Sequence, residues 1–351
     1  MSTQSDTARE QLDDLLERGE ISRETFAEYS ATADTAVSSA PRTDGQTHNT
    51  APTEFLEADG IRFAYRRFGN AVGAPTVLLQ HFMGNLENYD PAITDALAMG
   101  REVILTDNAG VGLSTGSAPQ TVTGMARDAA ALIDALRLEQ VDLYGFSMGG
   151  YVAQQITVDR PELVRRLILV GTGPRGGEGM AQLARETAPL FATIYDPQDL
   201  MWLPIFFSPS DASQAAGRHY LERIRARTED RDVPVSTATV AAHSGAAREW
   251  GAAAPRSFDY LSAISQPTLV VNGSNDIVVP TVNSYILQQN LPNAELILFP
   301  DSNHGSHFQF TEQFNRYASD FLDRWVLRVR PHHPPGPRPS GSHRAVQGSA
   351  R

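Results

Sequence analysis

The sequence predicts a doubly wound, mostly parallel α/β sheet carrying a helical insert, and three observations predict it. Short apolar runs without polar alternation recur along the chain: Val77-Leu78-Leu79, Val103-Ile104-Leu105, Leu167 to Val170, Leu269-Val270-Val271 and Leu296 to Phe299. Such runs suit parallel strands covered on both faces. Stretches of helical period stand between and after them, with Met125, Ala129, Leu132, Ile133 and Leu136 in one and Phe310, Phe314, Tyr317, Phe321 and Trp325 in another. These stripes read as core. From about residue 175 to 261 the strand rhythm stops and helical segments take over, around Met180 to Tyr195, Ala212 to Arg227 and Val235 to Trp250. In sheets of this kind ligands bind outside the carboxyl ends of the strands, so chemistry is sought there.

The composition removes whole classes of function. The 351 residues include no Cys and no Lys, so all 29 basic residues are Arg. Thiolate nucleophiles, disulfides, Cys-based metal sites, Schiff bases and the phosphate Lys of a P-loop are therefore excluded. The formal charge of -12 argues against a nucleic-acid surface, which needs a concentrated basic stripe. No run is long and apolar enough for a membrane span or a secretory signal, so a soluble cytoplasmic protein is expected, without membrane partner.

Residues 1–52 read as an acidic leader: a charged stretch from Arg9 to Arg18, then Gly19, Ser22 as a cap, and a polar linker. Leu12, Leu15, Leu16, Ile21 and Phe26 can close a two-helix hairpin, which resembles the short accessory hairpins called SHOCT modules and would make a homo-oligomer through this segment. A disordered leader is the alternative, because short isolated helices hold poorly in water. The core is expected over 53–174 and 262–328, the helical cap over 175–261, and a disordered Pro/Gly/Arg-rich tail over 329–351.

Within the core, VDLYGFSMGG runs an apolar strand into Gly145-Phe146-Ser147-Met148-Gly149 and then into an amphipathic stretch. This is a G-x-S-x-G elbow in strand–turn–helix context, with Ser147 as nucleophile at a helix N-terminus. An alcohol needs a base and the base an orienting carboxylate. Of nine His, His304 lies directly after the last apolar strand and before the final helix, and it is the expected base. His307 is expected in the first turn of that helix, while His219 and His243 read as solvated or structural members of the insert. Asp276, in a Gly-Ser-Asn turn after the preceding strand, is the expected acid, with Asp301 as rival.

The stretch from about 55 to 328 resembles the α/β-hydrolase superfamily, and Gly-Phe-Ser-Met-Gly-Gly is especially similar to its cofactor-free haloperoxidases, perhydrolases and esterases. Asp107, Gly110, Gly112 and Ser114 are similar to a structural turn of the family. The resemblance implies an oxyanion hole from the N–H of Met148 and one from the loop after His81, where Met83 is expected and Phe82 is the rival, because Phe82 stands where the family has Gly. Phe82, Trp202 and Phe206 are candidate pocket residues beneath the cap.

These residues predict a Ser-His-Asp hydrolase acting on a small-molecule ester, thioester, lactone or related carbonyl compound, with no cofactor and no metal. Perhydrolysis by the same triad is one alternative, and a ligand-binding receptor with incidental hydrolysis is another. Dehalogenase and epoxide hydrolase chemistry is disfavoured, since those relatives carry Asp where this chain has Ser147. Gly171-Thr172-Gly173-Pro174-Arg175-Gly176 matches a dinucleotide fingerprint literally, but Pro174 and the glycines after it disfavour the helix that fingerprint must open.

Overall fold

The computed structural model describes residues 45–324 apart from 71–72, 183–184 and 186. The expected leader hairpin, the tail and Trp325 lie outside the described residues. Eight strands form one sheet in the order β1-β2-β4-β3-β5-β6-β7-β8: β1 Glu54–Ala58, β2 Ile61–Gly69, β3 Thr76–Leu79, β4 Glu102–Thr106, β5 Val141–Phe146, β6 Val164–Val170, β7 Thr268–Gly273 and β8 Ala294–Phe299. β2 is antiparallel to both β1 and β4, and every other pairing is parallel.

The unbroken apolar runs follow from cover on both faces. Leu78, Ile168 and Val170 face one cluster, which α1 (Pro91–Ala98) supplies with Ile93 and Leu97 and α10 (Thr311–Asp323) with Phe314 and Phe321. Val77, Leu79, Leu167 and Leu169 face the other, shared with α2 (Val122–Ala135), α3 (Met148–Asp159) and α8 (Val282–Asn290). Each such side chain contributes about 1.5–3 kcal/mol when buried, and none has a polar face to present. α2 starts where the Thr121 side chain accepts the Gly124 N–H.

Between β6 and β7 the cap contains α4 (Ala188–Ala192), α5 (Trp202–Phe206), α6 (Asp211–Ile224) and α7 (Thr237–Gly251). Ser210 and Ser236 cap α6 and α7 through their hydroxyl oxygens, close to the starts that the sequence suggests. Among the described residues of the segment expected to be helical around Met180 to Tyr195, α4 is the helix, with Pro189 in its first turn. The chain enters the insert through Gly176 and Gly179 at positive φ.

The cap is tied down by charge. Arg223 donates to both carboxylate oxygens of Asp90 at 2.8 and 2.6 Å. Arg227 donates to the carbonyls of His48, Asn49 and Ala51. His48 and Ala51 are buried, so residues 46–52, expected in the leader, pack as part of the folded unit. Among the described residues no helix is long and apolar enough to cross a membrane.

Candidate active site

β5 ends in a turn so tight that glycine is obligatory. A Cβ on Gly149 would lie 2.0 Å from the Leu79 carbonyl oxygen, and one on Gly145 would lie 2.5 Å from the Gly149 carbonyl oxygen. Ser147 itself takes φ 54° and ψ -117°, a strained conformation for a residue with a side chain. Its N–H donates to Val170 O at 2.8 Å, and its carbonyl accepts Thr172 Oγ1 at 2.8 Å and Gly150 N at 2.9 Å. The backbone is thereby over-determined, and the hydroxyl is held at the N-terminus of α3.

The carboxyl ends of β7 and β8 bring up its partners. His304 Nε2 lies 2.8 Å from Ser147 Oγ, and His304 Nδ1 lies 2.8 Å from Asp276 Oδ2. The other oxygen of Asp276 accepts the N–H groups of Val278 and Val279 at 2.8 and 3.0 Å. Asn303 Oδ1 accepts the N–H groups of His304 and Ile277, which joins the two loops. In this chain of contacts Asp276 fixes the Nδ1–H tautomer, leaving Nε2 to accept from the serine. The rival Asp301 instead accepts the Ser210 hydroxyl at 2.6 Å. His307 stands in the first turn of α9 (Ser306–Gln309), as expected, with its ring 4.5 Å from Phe146, no hydrogen-bond partner among the described residues on either nitrogen and a pKa pushed well down by burial.

A cavity of about 610 Å³ opens on the serine, lined by Ser147, Met148, Phe82, Met83, Tyr151, Met180 and Phe191, with Val240, Ser244 and Ala247 from α7. Among the described residues of that lining, Arg248 supplies the only ionic side chain. Of the three aromatic pocket candidates, Phe82 lines the cavity, whereas Trp202 and Phe206 do not. These two stack on each other at 4.8 Å and bury against the His81 ring at 4.8 and 5.3 Å. They wall the underside of the loop that follows β3, where His81, Phe82 and Met83 stand; Phe191, whose ring is 5.8 Å from Phe82, takes the expected lining role.

His81 is fully enclosed, and burial lowers its pKa to about 3, so the ring is neutral. Its Nδ1 lies 2.8 Å from Phe82 O. On the other side of the same peptide, Met83 N–H donates to Nδ1 of His243 at 3.4 Å, and Met83 has φ 63°. His243, read from sequence as a member of a polar insert, is buried against this loop; no local pattern signals a contact between residues 160 apart. Asp107 accepts the Leu86 N–H at 2.9 Å and so braces the same loop from below, in keeping with the structural role of its turn. The segment 171–176 opens no helix: Gly173 O accepts Trp250 Nε1, and Gly176 N–H donates to Trp250 O.

Residues 75–311 match the model of the alpha/beta hydrolase fold family. A 2-hydroxy-6-oxononadienedioate/2-hydroxy-6-oxononatrienedioate hydrolase of Paraburkholderia xenovorans (strain LB400) is 29% identical over 76% of this chain and 92% of its own. An alpha/beta hydrolase fold protein from Chitinophaga pinensis superposes with a TM-score of 0.75 at 38% identity, covering 80% of this chain and all of that one. The structure titled "Est816 as an N-Acyl homoserine lactone degrading enzyme" superposes with a TM-score of 0.59 at 27% identity, covering 76% of this chain and all of that one. By their names these relatives are hydrolases and a lactone-degrading enzyme, not specifically the haloperoxidases to which the elbow motif is expected to be similar.

Proposed function

The chain belongs to the α/β-hydrolase fold family, and from that premise we propose that it is a serine hydrolase cleaving an ester, lactone or related carbonyl compound with an apolar acyl part. The observation that carries this reading is His304, whose two ring nitrogens lie 2.8 Å from Ser147 Oγ and 2.8 Å from Asp276 Oδ2.

Each group then has one task. Ser147 Oγ attacks the carbonyl carbon as His304 Nε2 takes its proton, and Asp276 stabilises the resulting imidazolium. The tetrahedral oxygen gathers negative charge at the start of α3, where the N–H groups of Met148 and Met83 donate to it; one such donor is worth about 10²–10³ in kcat. His304 returns the proton to the leaving group, water replaces that group, and the acyl-enzyme is hydrolysed by the same steps in reverse. The apolar cavity wall of Met180, Phe191, Val240 and Tyr151 suits an acyl chain better than a charged one. The lactone-degrading neighbour and the dienedioate hydrolase support a carbonyl substrate without fixing which.

The test combines a fluorophosphonate label with p-nitrophenyl esters of graded chain length and a series of N-acyl homoserine lactones. Covalent labelling of Ser147 together with turnover that rises with acyl length is expected. A folded chain that neither labels nor turns over any member would overturn the reading.

A further inference from the structure

The peptide between Phe82 and Met83 is held at both ends by histidines that do not belong to the triad. Its carbonyl takes Nδ1 of His81, from the core, at 2.8 Å. Its N–H gives to Nδ1 of His243, from the cap helix α7, at 3.4 Å. We propose that His243 is a positioning residue for the oxyanion hole: the cap histidine accepts the Met83 N–H in the resting enzyme, keeps it aimed, and yields it to the oxyanion. The proposal rests on the reading of Met83 N–H as an oxyanion donor.

Three observations converge on this role. Met83 sits at φ 63°, a conformation that costs a non-glycine residue of the order of 1–3 kcal/mol and persists only where the surroundings impose it. The other bonds of the loop hold its flanks and not the Met83 N–H: Asp107 accepts the Leu86 N–H, Gln80 Nε2 donates to Asn85 O, and Gly84 N–H to His81 O at 3.0 Å closes the turn. A buried N–H left without an acceptor costs about 1–3 kcal/mol, so without His243 the peptide gains by rotating toward another partner, which takes the donor away from Ser147. Finally, His243 can accept only as the neutral Nε2–H tautomer, and burial holds it neutral by lowering its pKa to about 4. Among the described residues its Nε2 has no partner, and acceptance at Nδ1 is the one hydrogen bond of the ring.

The length of the contact bears on catalysis. At 3.4 Å to a neutral acceptor the bond is longer than the usual range of about 2.7–3.2 Å and weak, whereas an oxyanion draws the same N–H into a shorter, charge-assisted bond about twice as strong as a neutral one. A neutral ground-state carbonyl gains less from the exchange. The histidine therefore favours transfer of the donor in the transition state over binding of substrate, which is the difference that raises kcat. It also ties the donor to the seating of α7, because the cap must be in place for Nδ1 to reach the loop.

The experiment measures kcat, KM and the affinity of a trifluoromethyl ketone, whose adduct with Ser147 places an oxyanion in the hole. In His243→Leu, kcat should fall about tenfold or more, as for weakening of one donor, with KM little changed and ketone affinity reduced in parallel. His243→Asn should restore most of both, since the asparagine Oδ1 takes the place of Nδ1. His243→Gln carries the same amide one methylene farther and should remain slow. If the leucine variant does not fold, the asparagine and glutamine pair decides, and equal rates in the two would overturn the proposal, as would unchanged kcat and ketone affinity in folded His243→Leu. A wild-type chain that the ketone does not inhibit would instead remove the serine hydrolase reading beneath it.

Discussion

At Ser147 the loss of one oxygen atom, as alanine, should abolish fluorophosphonate labelling and lower turnover by several orders of magnitude, because nucleophile and base act as a unit. His304→Ala should cost comparably, since Nε2 is the atom 2.8 Å from the hydroxyl. Comparable loss from His307 would reverse the assignment, and the geometry argues against it: neither of its nitrogens has a partner. His307→Leu should leave the labelling rate of Ser147 unchanged and hold or raise Tm, because an apolar side chain of similar size removes two buried unpaired polar atoms. A thermal scan and a labelling time course check both. The proposed triad is legible in sequence because Ser147, Asp276 and His304 each stand at a strand's carboxyl end, where turn residues and apolar runs mark the position. Trp202 and Phe206 are legible as aromatic but not as to what they touch; their rings close on His81, from an element far away in the chain, and no local period encodes that.

Among the elements, the strand–turn–helix elbow is the least tolerant of change. In Gly149→Ala the new methyl would meet backbone of β3 at 2.0 Å, and β3 is a central strand that cannot give way. This variant should fail to fold, or fold with Ser147 unlabelled; normal labelling and Tm would show that the elbow relaxes. The strands were readable from continuous apolar runs, because cover on both faces leaves no polar alternation to blur them. The cap was readable as an interruption but not in detail: Gly176 and Gly179 at positive φ turn the chain as it enters, and Pro189 stands in the first turn of the short α4. Its attachment was not readable at all, because Arg227 binds main-chain carbonyls of His48, Asn49 and Ala51, which any residues at those positions would present. A chain beginning at residue 45 keeps all three carbonyl acceptors of Arg227. One beginning at 53 loses the three acceptors of Arg227 and should melt several degrees lower, with cap and core no longer unfolding together. Equal Tm values for the two would mean that Arg227 finds water instead.

For the molecule as a whole, the buried histidines set the response to acid. His48 and His81 are held down to about 3 and His243 to about 4, chiefly by burial, with His307 also well below 6.5. Unfolded, each takes its proton near 6.5, so between that value and the folded one the unfolded chain binds more protons and stability falls as pH falls. The contribution of these rings is complete above about 6.5 and is lost on the acid side. Asp107 works in the opposite sense, since burial and the facing Asp232 raise its pKa above 3.8, and Asp142 is raised by burial as well. Acid also reduces the net charge of -12 and with it the self-repulsion of the chain, but that charge is spread over the surface and screened by salt. Four enclosed rings against two carboxyls should leave a net loss, so Tm should drop steadily from pH 7 to pH 5 at moderate ionic strength. His307→Leu removes one of the four and should flatten that slope while leaving the value at pH 7 unchanged or higher. A Tm independent of pH over this interval, or a slope that His307→Leu does not alter, would show that the core takes up protons without opening.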